Sequence, residues 1–435
     1  MKKKVFCILI SVLAMLLCAC GVYETSLEAT SDPVRVTEPI KSEAKEEEIP
    51  VAQQYKALNY DDMKALWLSQ YDLIKVYTDD GKQREKKDFS DRIGKILDNV
   101  VSLGINTVIV QVRPFADSMY PSEYYPMSSF VTGRYGESAD YDPFEIILKK
   151  SHERGLSVHA WINPLRAMTE DEIMSIPARF KIREWYDGEN FVSTVTGRVY
   201  LNPAYGETRE LIALGAAEIV KLYDVDGVHM DDYFYPTTDP GFDREAYELY
   251  RSRGGTKDLM QFRRDNVNAM VREIYSAVKS ESADVLFGIS PAGVMDNNYN
   301  ELCADVAEWC GNKGYVDYIC PQVYFGFEHS TCGFVKVCDQ FSDMVKVDGI
   351  RLIIGMILGK TMSKYDTYAG NGKYEWRDNK DILRRELEHT MTLPKCSGVA
   401  YFSYQDFFDP ITGEEIEGTA EERANLLPLL KEATW

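Results

Sequence analysis

From about residue 60 onward, short apolar runs alternate with stretches whose apolar positions recur every three or four residues. Eight runs read as strands: 64–73, 106–112, 157–163, 227–233, 285–290, 316–324, 351–358 and 398–404. Most are near-continuously apolar, which predicts strands covered on both faces and paired in parallel. The intervening segments read as amphipathic helices. Ile93, Ile96, Leu97, Val100 and Val101 fall on one helical face, as do Ile212, Ala216, Ile219, Val220 and Tyr223. Phe262, Val267, Met270, Val271 and Ile274 repeat the pattern. Gly104 and Gly155 stand where two helices should stop, at positions suited to a left-handed residue. Eight strand–helix units predict an α/β fold of the (β/α)8 TIM-barrel class. An open doubly wound sheet is the alternative, but no glycine-rich phosphate loop follows any strand.

The connections are lopsided. Those from helix to next strand are short, whereas 113–141, 165–205, 233–257 and 359–377, which follow strands, are long. In a barrel the long ones share the carboxyl-terminal rim, where catalysis is found. They are rich in aromatics, among them Phe115, Tyr120, Tyr124, Tyr125, Trp185, Tyr186, Phe191, Tyr233, Phe234, Tyr235, Tyr365, Tyr368, Tyr374 and Trp376. Rings of this kind either pack long loops or present flat faces to sugars.

Several strands end in polar residues spaced by two, a spacing that places them on one face. Gln111 and Arg113 close the second; His159, Trp161 and Asn163 the third, with Arg166 just beyond; His229 and Asp231 the fourth, then Asp232 and Tyr233. Ser290 closes the fifth, and Gln322 and Tyr324 end the sixth. Each buried polar group without a partner costs a few kcal/mol, so their convergence calls for a network or a ligand. His229, Asp231 and Asp232 are the candidate catalytic residues. Asp231 suits a nucleophile, base or charge stabiliser, with His229 tuning it. Alternation places Asp232 on the opposite face. The candidate substrate-binding residues are Gln111, Arg113, His159, Trp161, Asn163, Arg166, Tyr233, Ser290, Gln322 and Tyr324. Arg113 and Arg166 could each hold a carboxylate or phosphate, or else pair with nearby aspartates. With five histidines and no H-x-H or H-E-x-x-H pattern, neither a metal site nor a cofactor is expected.

Charge narrows the partners. With 49 basic and 69 acidic side chains, the net charge of −20 argues against nucleic acid and against electrostatic attachment to acidic lipid. Membrane contact is expected from the N-terminus instead. Met1-Lys2-Lys3-Lys4 precedes an apolar run from Val5 to Leu17, too short to span a bilayer. Leu17-Cys18-Ala19-Cys20-Gly21 then resembles a bacterial lipobox, with Cys20 as the lipidated residue because small Ala19 precedes it. The expected organisation is a lipoprotein signal peptide over 1–19, a lipid-anchored Cys20 with an acidic tether over 20–55, and a catalytic barrel over 56–435. That places the protein on the extracytoplasmic face of a bacterial membrane. Cys303, Cys310, Cys320, Cys332, Cys338 and Cys396 form no C-x-x-C and read as small core hydrophobes. No coiled-coil seam is evident, and oligomeric state is not legible.

Five motifs occur in order: Trp161-Ile162-Asn163-Pro164-x-Arg166; Leu201-Asn202-Pro203; the run from Tyr223 through Asp226-Gly227-Val228-His229-Met230-Asp231-Asp232-Tyr233 to Pro236; Phe287-Gly288-Ile289-Ser290-Pro291; and Val316-Asp317-Tyr318 through Gln322-Val323-Tyr324. Together they resemble the glycosyl hydrolase-like 10 family of bacterial lipoproteins over roughly residues 60–400. The resemblance implies a TIM-barrel glycosidase acting on cell-wall glycan strands. The chain departs from the scheme of xylanase-type family 10, because strand four carries Asp231 without a glutamate and strand seven has no carboxylate. The expectation is a glycoside hydrolase acting on an extracytoplasmic polysaccharide, most plausibly peptidoglycan glycan. Its alternative is a glycan-binding protein without catalysis. Asp232, Glu328, Asp406 and Asp296 can all be placed on the rim as the general acid.

Overall fold

The eight apolar runs form the strands of a closed, all-parallel barrel in a computed structural model that describes residues 55–435. In chain order they are β1 (Met63–Leu68), β2 (Thr107–Arg113), β3 (Ser157–Ile162), β4 (Gly227–Met230), β5 (Leu286–Ile289), β6 (Tyr318–Ile319), β7 (Arg351–Ile357) and β8 (Cys396–Phe402). Each strand pairs with its sequence neighbours, and β8 closes onto β1 with Met63 opposite Gly398. Helices Lys86–Ser102, Gly206–Leu222 and Leu259–Glu281 occupy the segments with 3.6-residue periodicity. Gly104 and Gly155 adopt positive φ after two of the helices, as their placement predicted. The leader, Cys20 and almost all of the tether fall outside the described residues. Among the described residues, no helix is long and apolar enough to cross a membrane.

Local chemistry shortens several of the expected strands. The run 64–73 divides at Ser69. Its hydroxyl accepts from the Asp72 N–H while Asp72 accepts from the Ser69 N–H, a capping box that starts helix Gln70–Tyr77 immediately after β1. In 316–324 the ladder stops after Ile319, because Pro321 has no N–H to give it. Gln322 then pairs only by isolated bridges, to Ala292 and Gly355. The connection 165–205 is more ordered than a loop. It folds into a three-stranded antiparallel sheet (Arg166–Thr169, Val192–Val195 and Arg198–Leu201) with two short helices.

Period-two alternation fills the lumen. Met63, Ala65 and Trp67 from β1 meet Ile109, Trp161, Tyr318, Cys320, Ile353 and Ala400 in a core distinct from the one between strands and helices. His159 and His229 belong to this interior, and the Nδ1 of each lies 2.8 Å from the Tyr318 hydroxyl. One hydroxyl can donate to one ring and accept from the other, so the two imidazoles hold opposite tautomers. Glycines make room for the rings: a Cβ on Gly227 would lie 2.6 Å from the His159 ring, and one on Gly288 2.0 Å from the Tyr318 ring. Gly288→Ala should therefore overpack the lumen and lower stability by about 1–3 kcal/mol. A urea midpoint matching the unsubstituted protein would show that Tyr318 relaxes freely. Among the described residues, all six cysteines are free thiols, and five of them are buried.

Candidate active site

At the carboxyl end of the barrel a cavity of about 220 Å³ sits above Trp67 and Trp161, the uppermost lumen side chains. Asp231 and Asp232 both line it. Strict alternation assigned them to opposite faces, but β4 ends at Met230, so the rule does not extend to them. Asp231 is almost fully buried. Its Oδ1 accepts the Tyr233 N–H at 3.2 Å, and its Oδ2 accepts from the Asn163 side-chain amide.

That amide is oriented from the backbone outward. The Gln70 N–H, which can only donate, bonds the Gln111 Oε1 at 2.8 Å. The Gln111 Nε2 must then face the Asn163 Oδ1, also at 2.8 Å, which leaves the Asn163 NH2 for Asp231. The chain thus runs from the first turn after β1, across β2 and β3, to the end of β4.

Burial raises Asp231, and the neighbouring Asp232 charge raises it further, to about 8. The Tyr233 N–H, Asn163 and the adjacent Trp161 indole oppose this without cancelling it. Asp232 is less deeply buried; it too is raised by burial, while the Gln322 amide favours its charged form. Two further polar atoms around the cavity are buried and unpartnered: the Ser290 hydroxyl and the Gln70 Oε1. Buried polar atoms are normally satisfied, so this group marks a place for a polar ligand. The mouth is aromatic, with Tyr71 61% and Tyr233 48% exposed.

Gln111, Trp161, Arg166, Tyr233, Ser290, Gln322 and Tyr324 line the cavity, and Asn163 reaches it through Asp231. Arg113 does not. The β2–β3 register shifts between Gln111 and Arg113, which turns the arginine outward. Its guanidinium bonds the Tyr120 hydroxyl and the Gly215 carbonyl and lies 3.9 Å over the Tyr125 ring. His159 and His229 lie off the cavity lining, bonded to Tyr318. Burial holds His159 near 4 and His229 far below its ordinary value, so both are neutral and neither tunes Asp231. Of the proposed rim acids, Asp232 alone lines the cavity. Asp406 instead caps helix Tyr404–Phe407 through Ser403.

Trp67, Ser69, Gln70, Tyr71 and Phe402 line the cavity without having been singled out in the sequence. The signal was the Ser69-x-x-Asp72 spacing, which ends β1 and turns the next residues over the mouth. Many rim aromatics, including Tyr120, Tyr125, Phe234 and Tyr235, are buried as loop packing. Among the described residues, no three His, Cys, Asp or Glu side chains converge on a metal position.

The family model described as glycosyl hydrolase-like 10 matches residues 62–368, spanning β1 to β7 and the whole cavity except Phe402. The chain belongs to this family. Among curated relatives, "Glycosyl hydrolase YngK" of Bacillus subtilis is 32% identical over 364 residues, covering 79% of this chain and 68% of the relative. "Glycosyl hydrolase DigH" of Escherichia coli K12 is 32% identical over 345 residues, covering 74% of this chain and 76% of the relative. The fold is shared more widely. The glycoside hydrolase domain of PgaB from Bordetella bronchiseptica superposes with a TM-score of 0.52 at 15% identity, covering 84% of this chain and 98% of the domain. The catalytic domain of a Paenibacillus polymyxa β-amylase gives 0.53 at 11% identity, covering 85% and 99%. Membership in the glycosyl hydrolase-like 10 family and this glycosidase barrel support a glycosidase-type function.

Proposed function

We propose that this chain is a glycoside hydrolase in which Asp231 and Asp232 form the acid–base unit. The observation that carries the reading is the placement of two sequence-adjacent carboxylates in one cavity with unequal burial. Two titratable groups pushed apart by their surroundings mark an acid and its partner. Asp231 holds the proton at neutral pH and gives it to the departing glycosidic oxygen. Asp232, whose charged form the Gln322 amide favours, supplies the negative charge that an oxocarbenium-like transition state requires; water then adds to the anomeric carbon and returns a proton to Asp231. This reverses the role that position alone suggested for Asp231. Trp161, Ser290 and Gln322 offer hydroxyl partners, and Tyr71, Tyr233 and Tyr324 offer faces for sugar C–H bonds.

The substrate we propose is an extracytoplasmic polysaccharide, specifically peptidoglycan glycan strands. The resemblance to bacterial lipoproteins and the lipobox-like segment ending at Cys20 support this, since a lipidated Cys20 would hold the barrel outside the membrane beside the wall. The alternative is a non-catalytic glycan-binding protein, favoured by the absence of any carboxylate on β7. Purified protein incubated with defined glycan strands should generate new reducing ends. Binding without any cleavage would support the alternative.

The acid role carries a pH signature. Because Asp231 is raised, its proton is present at neutral pH, and kcat/KM should fall as pH rises through about 8. Asp232→Asn removes the charge that helps raise Asp231, so any residual activity should lose its basic limb at lower pH. A flat profile between pH 6 and 10 would exclude Asp231 as the acid.

A further inference from the structure

Arg166 begins the small antiparallel sheet, where its backbone pairs with Tyr200. It is half-buried at the cavity wall beside Asp231 and Asp232. Its guanidinium carbon lies 4.6 Å from the Phe115 ring centroid and 4.6 Å from that of Tyr233. Contact with these rings, one of which (Phe115) Arg198 also approaches at 4.6 Å, takes up none of its N–H bonds in conventional hydrogen bonds. Among the described residues, no side-chain hydrogen bond or ion pair accounts for those N–H groups. The other buried or half-buried arginines contrast with it. Arg263 bonds Asp243 and the Asp239 carbonyl, Arg84 bonds Asp88 and three carbonyls, and Arg198 bonds the Ala167 carbonyl.

Two aspartates share the cavity with Arg166, yet it pairs with neither. The causes that set Asp231 and Asp232 are burial, each other's proximity and neighbouring amides, and Arg166 is not among them. In a chain of net charge −20, an arginine set between two rings at a cavity wall, with no hydrogen-bond or ion-pair partner for its donors, is arranged for an anion that arrives with the ligand. The planar pair of donors matches a carboxylate.

Resting on the glycosidase reading, we propose that Arg166 determines specificity by binding a carboxylate on the sugar that lies beside the Asp231–Asp232 pair. Two sources share this chemistry: an ether-linked acid on a muramic-type sugar, and the ring carboxylate of a uronic acid.

The test compares kcat/KM on an acid-bearing glycan with that on the same glycan after its carboxyls are reduced to alcohols. The unsubstituted protein should prefer the acid form by about ten- to a hundredfold, the range of one charge-assisted contact. Arg166→Gln should bring the ratio close to one, and Arg166→Lys, which keeps a point charge without the fork, should retain part of it. A muramic-type glycan and a polyuronate, each paired with its reduced form, separate the two sources. Equal rates on acid and reduced forms, or an Arg166→Gln protein that keeps the preference, would overturn the proposal while leaving the glycosidase reading in place. If no glycan is cleaved, the glycosidase reading fails, and the same ratios measured calorimetrically as binding constants still decide the role of Arg166. Comparing acid and reduced substrates on the unsubstituted protein decides it even if the Gln variant does not fold.

Discussion

Asp231→Asn should lower glycan hydrolysis on the order of 10³-fold, close to 4 kcal/mol of barrel-mouth chemistry, while glycan binding persists. The substitution keeps the side chain's shape and removes the ionisable group, so the departing oxygen loses its proton donor. Stability should change by no more than about 1 kcal/mol, because relief of the burial penalty on the carboxyl is offset by the loss of one hydrogen-bond acceptor. The substituted amide has a single oxygen, so only one of the two donors, the Tyr233 N–H at Oδ1 or the Asn163 amide at Oδ2, keeps its acceptor. Separate measurements of kcat, binding and thermal midpoint check each part. A variant that folds, binds and still turns over at more than about a tenth of the original rate would remove Asp231 from the mechanism.

Arg263→Ala should cost about 3–5 kcal/mol of stability. Arg263 and Asp243 are paired at 2.7 Å with both side chains fully buried. Arg263 also donates to the Thr237 and Asp239 carbonyls, and the Tyr235 hydroxyl bonds Asp243 at 3.2 Å. This cluster ties the segment that follows Asp231 and Asp232 to helix Leu259–Glu281. Truncating the arginine leaves Asp243 as an uncompensated buried charge. Activity should therefore be lost at temperatures below the global unfolding transition. Removing both charges with Asp243→Asn and Arg263→Met should cost clearly less than Arg263→Ala alone. Equal costs would mean that lost packing, rather than the stranded carboxylate, sets the penalty. Denaturant midpoints for the unsubstituted protein and the two variants make the comparison.

The barrel was legible because parallel strands covered on both faces leave near-continuous apolar runs, and each of the eight runs overlaps one of the barrel strands. The site was legible where alternation holds. Gln111, Trp161 and Gln322 were found through their polarity at strand ends and do line the cavity. Alternation misled wherever the strand itself broke. A register shift turned Arg113 outward, and the end of β4 at Met230 brought Asp232 to the same cavity as Asp231. Polarity misled at His159 and His229, whose Nδ1 atoms bond one tyrosine contributed from β6 inside the lumen, while their Nε2 atoms stay buried without a partner. No local pattern announces a partner that distant in sequence. Tyr71 and Gln70 were hidden for another reason: the first run was read as one strand through residue 73, although Ser69 and Asp72 cap a helix within it.

If the proposed chemistry holds, a glycosidic bond sits against the Asp231–Asp232 pair. The most direct measurement is a crystal structure of the Asp231→Asn protein with a bound glycan oligosaccharide. A glycosidic oxygen should lie within hydrogen-bond reach of the residue 231 side chain, roughly 2.6–3.2 Å, with sugar faces on Tyr71 or Tyr233. An oligosaccharide bound away from this cavity, or one that fills it with no glycosidic oxygen near either carboxyl position, would contradict the proposal.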